Sequence, residues 1–467
     1  MNPAGLQANY YFGGGSAETT LTPLSIIVVV IASLLILWLP RKRVVVPFLV
    51  AGLLLPINQT LVIAGLHFPL LRVLILVGWA RMFWRAIVTR SDRFPGPLNK
   101  LDKVFLLWAL CSAVAYTILW GMPGALIVKL GFLWNAVGSY VLLRYLVRDR
   151  EDVIRVITTL AMLCVLLAPL MLMEHSTGHS CFTSLGQPLL SEVRKGRVRA
   201  AGPFAHSIIA GTFGAMLAPL FVALWWADKQ RRMAAALGLA SSAMIAFASS
   251  SSTPVPTFLA GILGLCLWRF RRKMRVVRIG LAASLLGLHL VMKAPVWFLI
   301  ARLSGILGGT GWHRAELIDQ FINHFSEWWL IGTNRNAYWG LDMWDCINAF
   351  VNAGTEGGLV SFLLFIGLFV CAFSLVGAGR QRAAEDPLQE RLIWALGVCV
   401  FANAVGFFGI TYFDQTIIAW HAVLALIPAA IASLAPVSSV AVEQSVPVPA
   451  TKFVSPISTS PTAWNAS

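Results

Sequence analysis

Acidic residues are scarce in this chain. Asp and Glu together number 20 of 467, charged residues of both signs make up 12%, and 58% of the chain is hydrophobic. A soluble globule of that length needs far more polar surface, so the composition excludes one, and lipid is the environment that removes the requirement. A cleavable signal peptide is also missing from the expectation. The first 20 residues carry no Lys or Arg, and the first apolar run ends in Arg41-Lys42-Arg43, which anchors rather than releases. No cysteine pair has metal-ligand spacing, so neither a zinc site nor any cofactor is expected. No Asp or Glu lies deep in an apolar run and the two halves show no internal repeat, both of which count against a transporter.

What the chain does have is thirteen apolar segments: Leu21–Leu39, Val44–Ala64, Pro69–Trp84, Val104–Trp120, Ala125–Leu143, Val156–Met173, Ser207–Trp226, Met233–Ser249, Pro256–Trp268, Ile279–Met292, Leu359–Val376, Leu392–Thr411 and Thr416–Leu434. The loops between them alternate in charge. One side collects 26 of the 36 basic residues, the other eight, and Arg72 and Lys129 lie within segments. By the positive-inside rule the rich side is cytoplasmic, which puts the N-terminus outside and the C-terminus inside. A net charge of +16 would also suit nucleic acid, but basic loop clusters are what topology alone requires, so no nucleic-acid partner is expected. The expected fold is all-α, a polytopic transmembrane helical bundle of about 12–13 spans with a helical periplasmic loop. Residues 1–434 form this domain, including outer loops 174–206 and 293–358. Residues 435–467, rich in Ser, Pro, Val, Ala and Thr, read as a disordered cytoplasmic tail.

The two long outer loops hold every outside cation: Arg194, Lys195, Arg197 and Arg199 in the first, Lys293, Arg302, Arg314 and Arg335 in the second. Basic residues there oppose the topology rule. An anionic ligand at the outer face would account for them, and the first cluster is followed by a helix start, where anions are favoured. The plainer alternative is that long loops are translocated regardless of charge.

From Trp312 to Trp329 the helical period places Leu317, Ile318, Phe321, Ile322, Phe325, Trp328 and Trp329 on one arc. His313, Glu316, Gln320, His324 and Glu327 fall on the other side. The pattern predicts a helix lying on the outer membrane surface, with Trp328 and Trp329 in the interfacial belt. Arg314 projects from the apolar arc, where it must snorkel or meet an anion. Cys181 and Cys346 are the only cysteines outside the segments, one in each long loop, and either bridge the loops or stay unpaired.

The stretch RVRAAGPFAHSIIAGTF (Arg197–Phe213), followed by GTGWHRAELIDQFINHFSEWWLIGT (Gly309–Thr333), resembles the O-antigen ligase and polymerase superfamily of bacterial envelope enzymes over roughly residues 30–435. Arg314, the turn Leu330-Ile331-Gly332, and Asn348 with Glu356, Gly357 and Gly358 match elements of that family's large loop. Ile347 stands where ligase-type members carry a His base, which would leave Asp345, His313 or His324 to serve as catalytic base, or a reaction that needs no strong base because the diphosphate departs readily. The resemblance implies a multi-pass enzyme of the bacterial inner membrane, active at its periplasmic face in cell-surface polysaccharide synthesis. It would transfer saccharide from an undecaprenyl-diphosphate-linked oligosaccharide to an acceptor glycan or glycolipid, without a metal and alongside other polysaccharide assembly proteins. Arg197, Arg199, His206, Arg302, Arg314 and Asn348 would bind substrate, the arginines stabilising the diphosphate's developing charge. The rival classes are a membrane transporter and a non-catalytic component of an export complex.

Overall fold

The structure is a computed structural model that describes residues 19–89, 94–306 and 311–434; the expected tail, 435–467, lies outside the described residues. It is an all-α polytopic bundle. In chain order the helices are α1 (Pro23–Trp38), α2 (Arg41–Leu54), α3 (Leu70–Trp84), α4 (Lys100–Trp120) and α5 (Pro123–Leu133), which continues through a π-helical turn at Trp134–Gly138 into α6 (Ser139–Leu146). There follow α7 (Arg150–Thr177), α8 (Ser207–Ala227), α9 (Arg232–Ala248) and α10 (Pro254–Cys266), joined by a 3-10 stretch at Leu267–Lys273 to α11 (Met274–Val291). The remainder are α12 (Leu299–Ile306), α13 (Gly311–Asn323), α14 (Phe325–Trp328), α15 (Ala349–Arg382), α16 (Pro387–Gly406) and α17 (Thr416–Ala432).

Each of the thirteen apolar segments overlaps one of these helices, and Ala125–Leu143 overlaps two, α5 and α6. Among the described residues seven stretches are long and apolar enough to cross a membrane, namely α4, α5–α6, α7, α8, α10–α11, α15 and α16; α1 and α17 are shorter apolar helices. The segment Val44–Ala64 is the one whose end moves most. Its helix stops at Leu54, because Leu55 precedes Pro56 and is held extended (ψ 119°), and the chain then enters a hairpin of β1 (Thr60–Ile63) and β2 (Leu66–Pro69). A second hairpin, β3 (Glu192–Arg194) with β4 (Arg197–Arg199), lies in the first long loop. Neither hairpin was part of the sequence expectation. Both turn on a two-residue corner with positive φ, at Ala64-Gly65 and at Lys195-Gly196.

Successive segments run in alternate directions, which sorts the loops between two ends. At one end Thr22 N–H donates to Gln59, Ala200 N–H to the Ala248 carbonyl, Ala205 N–H to Asp414, and Ala349 N–H to the Phe407 carbonyl. At the opposite end Arg81 donates to the carbonyls of Ile36, Leu37 and Leu39, Arg41 pairs with Asp152, and Arg271 pairs with Glu390. Helix α11 returns to the first end, because Arg314 on α13 reaches the start of α10. Both long loops therefore lie at one end. The basic clusters 41–43, 144–155, 229–232, 269–278 and 380–391 lie at the other; Arg90, Arg93 and Lys452 fall outside the described residues.

Within the bundle one buried carboxylate gathers three partners. Asp102 opens α4 in a reciprocal capping box with Asn99 and then accepts from Arg144 Nε at 3.0 Å and Tyr140 OH at 2.5 Å. Helix α8 is the interior element, packed by α9, α10 and α16. Gly214 admits that packing: a Cβ there would sit 2.8 Å from the Ser242 carbonyl oxygen of α9.

The Asp102–Arg144 pair makes a stability test. Both side chains are almost fully buried, so Arg144→Leu should destabilise the purified protein by about 3–5 kcal/mol by stranding the carboxylate. Asp102→Asn combined with Arg144→Leu should recover most of that. Thermal melts in detergent read both outcomes.

Candidate functional site

The first long loop is shaped by buried acids. Glu174, at the end of α7, accepts from Ala201 N–H at 2.8 Å, Gly202 N–H at 3.1 Å and Ser191 Oγ at 2.9 Å. Asp414 accepts from Ala205 N–H at 3.0 Å, and Gln415 and Gln187 both donate to the Pro203 carbonyl. Residues 201–206 are thereby fixed in an irregular path that ends at the first turn of α8. There His206 is the N-cap, its Nδ1 accepting from Ile208 N–H at 3.1 Å.

The hairpin presents its cations in two ways. Arg197 is exposed next to the turn, whereas Arg199 is buried and donates through Nη1 to both oxygens of its cross-strand partner Glu192 at 2.8 Å. The other Arg199 nitrogen, Nη2, donates to Ser251 Oγ at 3.0 Å. Ser251 belongs to the five-hydroxyl run Ser249–Thr253 that joins α9 to α10.

Arg314 meets the same run from the other loop. Its Nη2 donates to Thr253 Oγ1 at 2.8 Å and its Nη1 to Ser252 Oγ at 3.4 Å, with Nε buried and unpartnered. The side chain is 5% exposed, and among the described residues no carboxylate pairs with it. Burial, with Arg194 adding to it, brings the guanidinium down to about 10, which still leaves it a cation at neutral pH. Arg314 thus does not snorkel. It is a charge held off water by neutral hydroxyls, on the side of α13 that buries Leu317 and Phe321.

Three titratable groups complete the site. Asp345, in the second loop, interacts electrostatically with His313 and His206, and partial burial raises its carboxyl above the ordinary 3.8. His206 lies 3.6 Å from Glu192 through Nε2; burial first and Arg199 second hold it below its ordinary value. His313 is half-buried, next to Arg314 in sequence. Two cationic anchors therefore converge on one hydroxyl loop, with a carboxylate and two imidazoles alongside.

Other residues singled out from the sequence go elsewhere. Asn348 is fully buried and caps α15, its Oδ1 accepting from Phe350 N–H at 2.9 Å and Val351 N–H at 3.3 Å, which is a structural task. Arg302 is exposed on α12, and no contact among the described residues brings it to the others. His324 sits at the break between α13 and α14, stacked on Trp339 with ring centroids 4.9 Å apart. It is about 16 Å along the helix from His313. Cys181 and Cys346 are free thiols in separate surroundings, the first donating to the Leu170 carbonyl and the second beside Asn336 Nδ2, so no bridge clamps the loops. The predicted surface helix breaks at His324. Trp328 leaves the interfacial belt to stack on Phe321 at 3.9 Å, while Ile322, Phe325 and Trp329 remain exposed.

The sequence reading passed over Ser251, Ser252 and Thr253. Their signal was available: five consecutive hydroxyl residues between two apolar segments, on the side that carries both long loops.

A buried cation without a counter-ion is a stability liability if it has no ligand to bind. Arg314→Met should therefore leave the melting temperature unchanged or raise it, by about 1–4 kcal/mol of stabilisation. The same variant should abolish inorganic pyrophosphate binding measured by calorimetry. A large loss of stability would instead assign Arg314 to the fold.

No protein-family model matches this chain and no curated protein matches it, so what the site does has to come from its own chemistry.

Proposed function

We propose that the chain is a membrane glycosyltransferase of the O-antigen ligase and polymerase kind. It takes a saccharide from a polyprenyl-diphosphate donor and passes it to a hydroxyl of an acceptor glycan or glycolipid. The observation that carries this reading is Arg314, a buried guanidinium facing hydroxyls instead of a carboxylate, beside Arg199 on the same loop. A diphosphate bound there would supply the missing counter-charge. Arg suits it because its planar fork holds two phosphate oxygens at once.

In the reaction the acceptor oxygen forms a bond to the anomeric carbon. The bond from that carbon to the diphosphate oxygen breaks, and its electron pair leaves with the polyprenyl diphosphate. Arg314 stabilises the charge that grows on the leaving group, and the buried setting strengthens the effect relative to water, while Arg199, paired with Glu192, holds the hydroxyl run that Arg314 faces. The acceptor's proton passes to Asp345, whose carboxylate lies in the field of His313 and His206. His324, which belongs to another cluster, has no part in this step. The division of basic residues, 26 against eight, supports a cytoplasmic opposite end and a periplasmic loop-bearing end in a bacterial inner membrane. A carrier would gather its charged groups at mid-bundle, whereas Arg199, Arg314, His206, His313 and Asp345 gather at one end.

Arg314→Lys should lower transfer by roughly 10²–10³-fold while the protein still inserts and melts normally, since a point charge replaces a fork. Transfer from a synthetic polyprenyl-diphosphate saccharide by purified protein checks this. Activity should fall as pH drops through the carboxyl of Asp345, at a value above the ordinary 3.8 because burial raises it, and Asp345→Asn should remove that acid limb together with most of the rate. Wild-type turnover by Arg314→Ala would refute the assignment.

A further inference from the structure

A strip of the second long loop, running away from Asp345, has no role in the chemistry above. Tyr338, Leu341 and Trp344 are 64%, 86% and 67% exposed, three large side chains within seven residues of a loop that lies outside the apolar segments. The strip is not loose. Trp339 and Met343, interleaved with the exposed residues, are buried in a small core with Leu317, Phe321, Trp328 and Val351. Asn336 Nδ2 donates to the Met343 carbonyl at 2.6 Å, and Thr411 Oγ1 donates to the carbonyls of Cys346 and Ile347. Buried anchors thus hold the intervening rings outward on a fixed backbone.

Along the strip carboxylates outnumber the one guanidinium, Arg335, which lies near Tyr338. Glu327 accepts from Tyr338 OH and, at 3.2 Å, from Trp339 Nε1, while Asp342 and Asp345 flank Trp344 in sequence. Carboxylates repel the anionic surface of a bacterial membrane, but they accept from sugar hydroxyls. Aromatic faces, which carry partial negative charge, stack against the polarised C–H faces of pyranose rings. In sequence the strip runs directly into Asp345, the proposed base, beside which the acceptor hydroxyl would lie.

We infer that the Tyr338–Trp344 strip is a subsite for a neutral acceptor glycan, holding several sugar rings in line with Asp345. This rests on the proposed role of Asp345 as base, so its test uses binding and not turnover.

The full chain, labelled with fluorotryptophan and held in lipid nanodiscs, gives a fluorine resonance for Trp344 that is identified by its loss in Trp344→Phe. The probes are maltohexaose, cellohexaose and mannohexaose on one side and a spin-labelled phosphatidylglycerol in the nanodisc on the other. At least one hexasaccharide should shift the Trp344 resonance saturably, and the spin-labelled lipid should leave it sharp. Trp344→Ala, at an exposed position, should weaken that binding roughly tenfold or more without moving the melting temperature. Broadening by the lipid with no response to any hexasaccharide would make the strip a membrane anchor and overturn the inference. Arg314→Ala separates the two claims: it should keep hexasaccharide binding while losing pyrophosphate binding, so either can fail alone.

Discussion

In hydrocarbon an unsatisfied polar group costs several kcal/mol, and that constraint orders the whole molecule. Wherever a charge enters the bundle it is met. Arg81 donates to the three carbonyls that end α1, Asp102 holds Arg144 and Tyr140, Asp152 takes Arg41 and Arg155, and Lys129 is paired with Glu356 at 2.5 Å under the Tyr116 ring. These pairs add little net stability over apolar packing, yet each forbids alternative registers of its helices, because a slip would strand both partners. Against this background Arg314 is conspicuous. It is buried as deeply as the others and has only neutral hydroxyls for company.

The loop-bearing end is built to make that possible. Glu174 and Asp414 spend their hydrogen-bonding capacity on backbone N–H groups of residues 201–205, which fixes the chain leading into α8 and leaves His206 and Arg199 in set positions. Glu192 neutralises Arg199 but stops there. From the second loop, Gly332 and Gly358, at φ 95° and 70°, lie so close to neighbouring backbone that a Cβ on Gly332 would strike the Thr355 carbonyl and one on Gly358 the Leu330 carbonyl. That contact, with Leu359 N–H donating to the Trp329 carbonyl and Thr333 N–H to that of Thr355, locks α13 and α14 onto the broken helix α15. Arg314 is carried to the hydroxyl run as a consequence.

Much of this could be read in the sequence, and for a simple reason. Helices crossing a membrane satisfy their own backbone, so composition and length announce them without knowledge of their neighbours. The thirteen segments, the alternation of charge and the isolation of eight cations in two loops all follow from one-dimensional information. Arg314 stood out for the same reason, a charge on an apolar arc. The arc itself was only half right: Leu317, Phe321 and Trp328 turned inward to a small core, while Ile322, Phe325 and Trp329 stayed out. Helical period distinguishes apolar from polar positions, and it does not distinguish burial in protein from burial in lipid.

Partnership was the part that needed three dimensions. Nothing in the spacing of Arg199 and Glu192 declares a hairpin, and the order Ser251, Ser252, Thr253 does not say that two arginines more than a hundred residues apart will share it. Asn348, expected from the sequence to bind substrate, also caps a helix, its amide oxygen accepting from Phe350 and Val351 N–H. The sequence by itself determined where the apolar helices lie and which loops lie at each end, because local hydrogen bonding and transfer from water to lipid decide those. Which cation keeps a carboxylate and which is left without one was decided by tertiary structure, because it depends on distances of a few ångströms between residues that the chain order keeps apart.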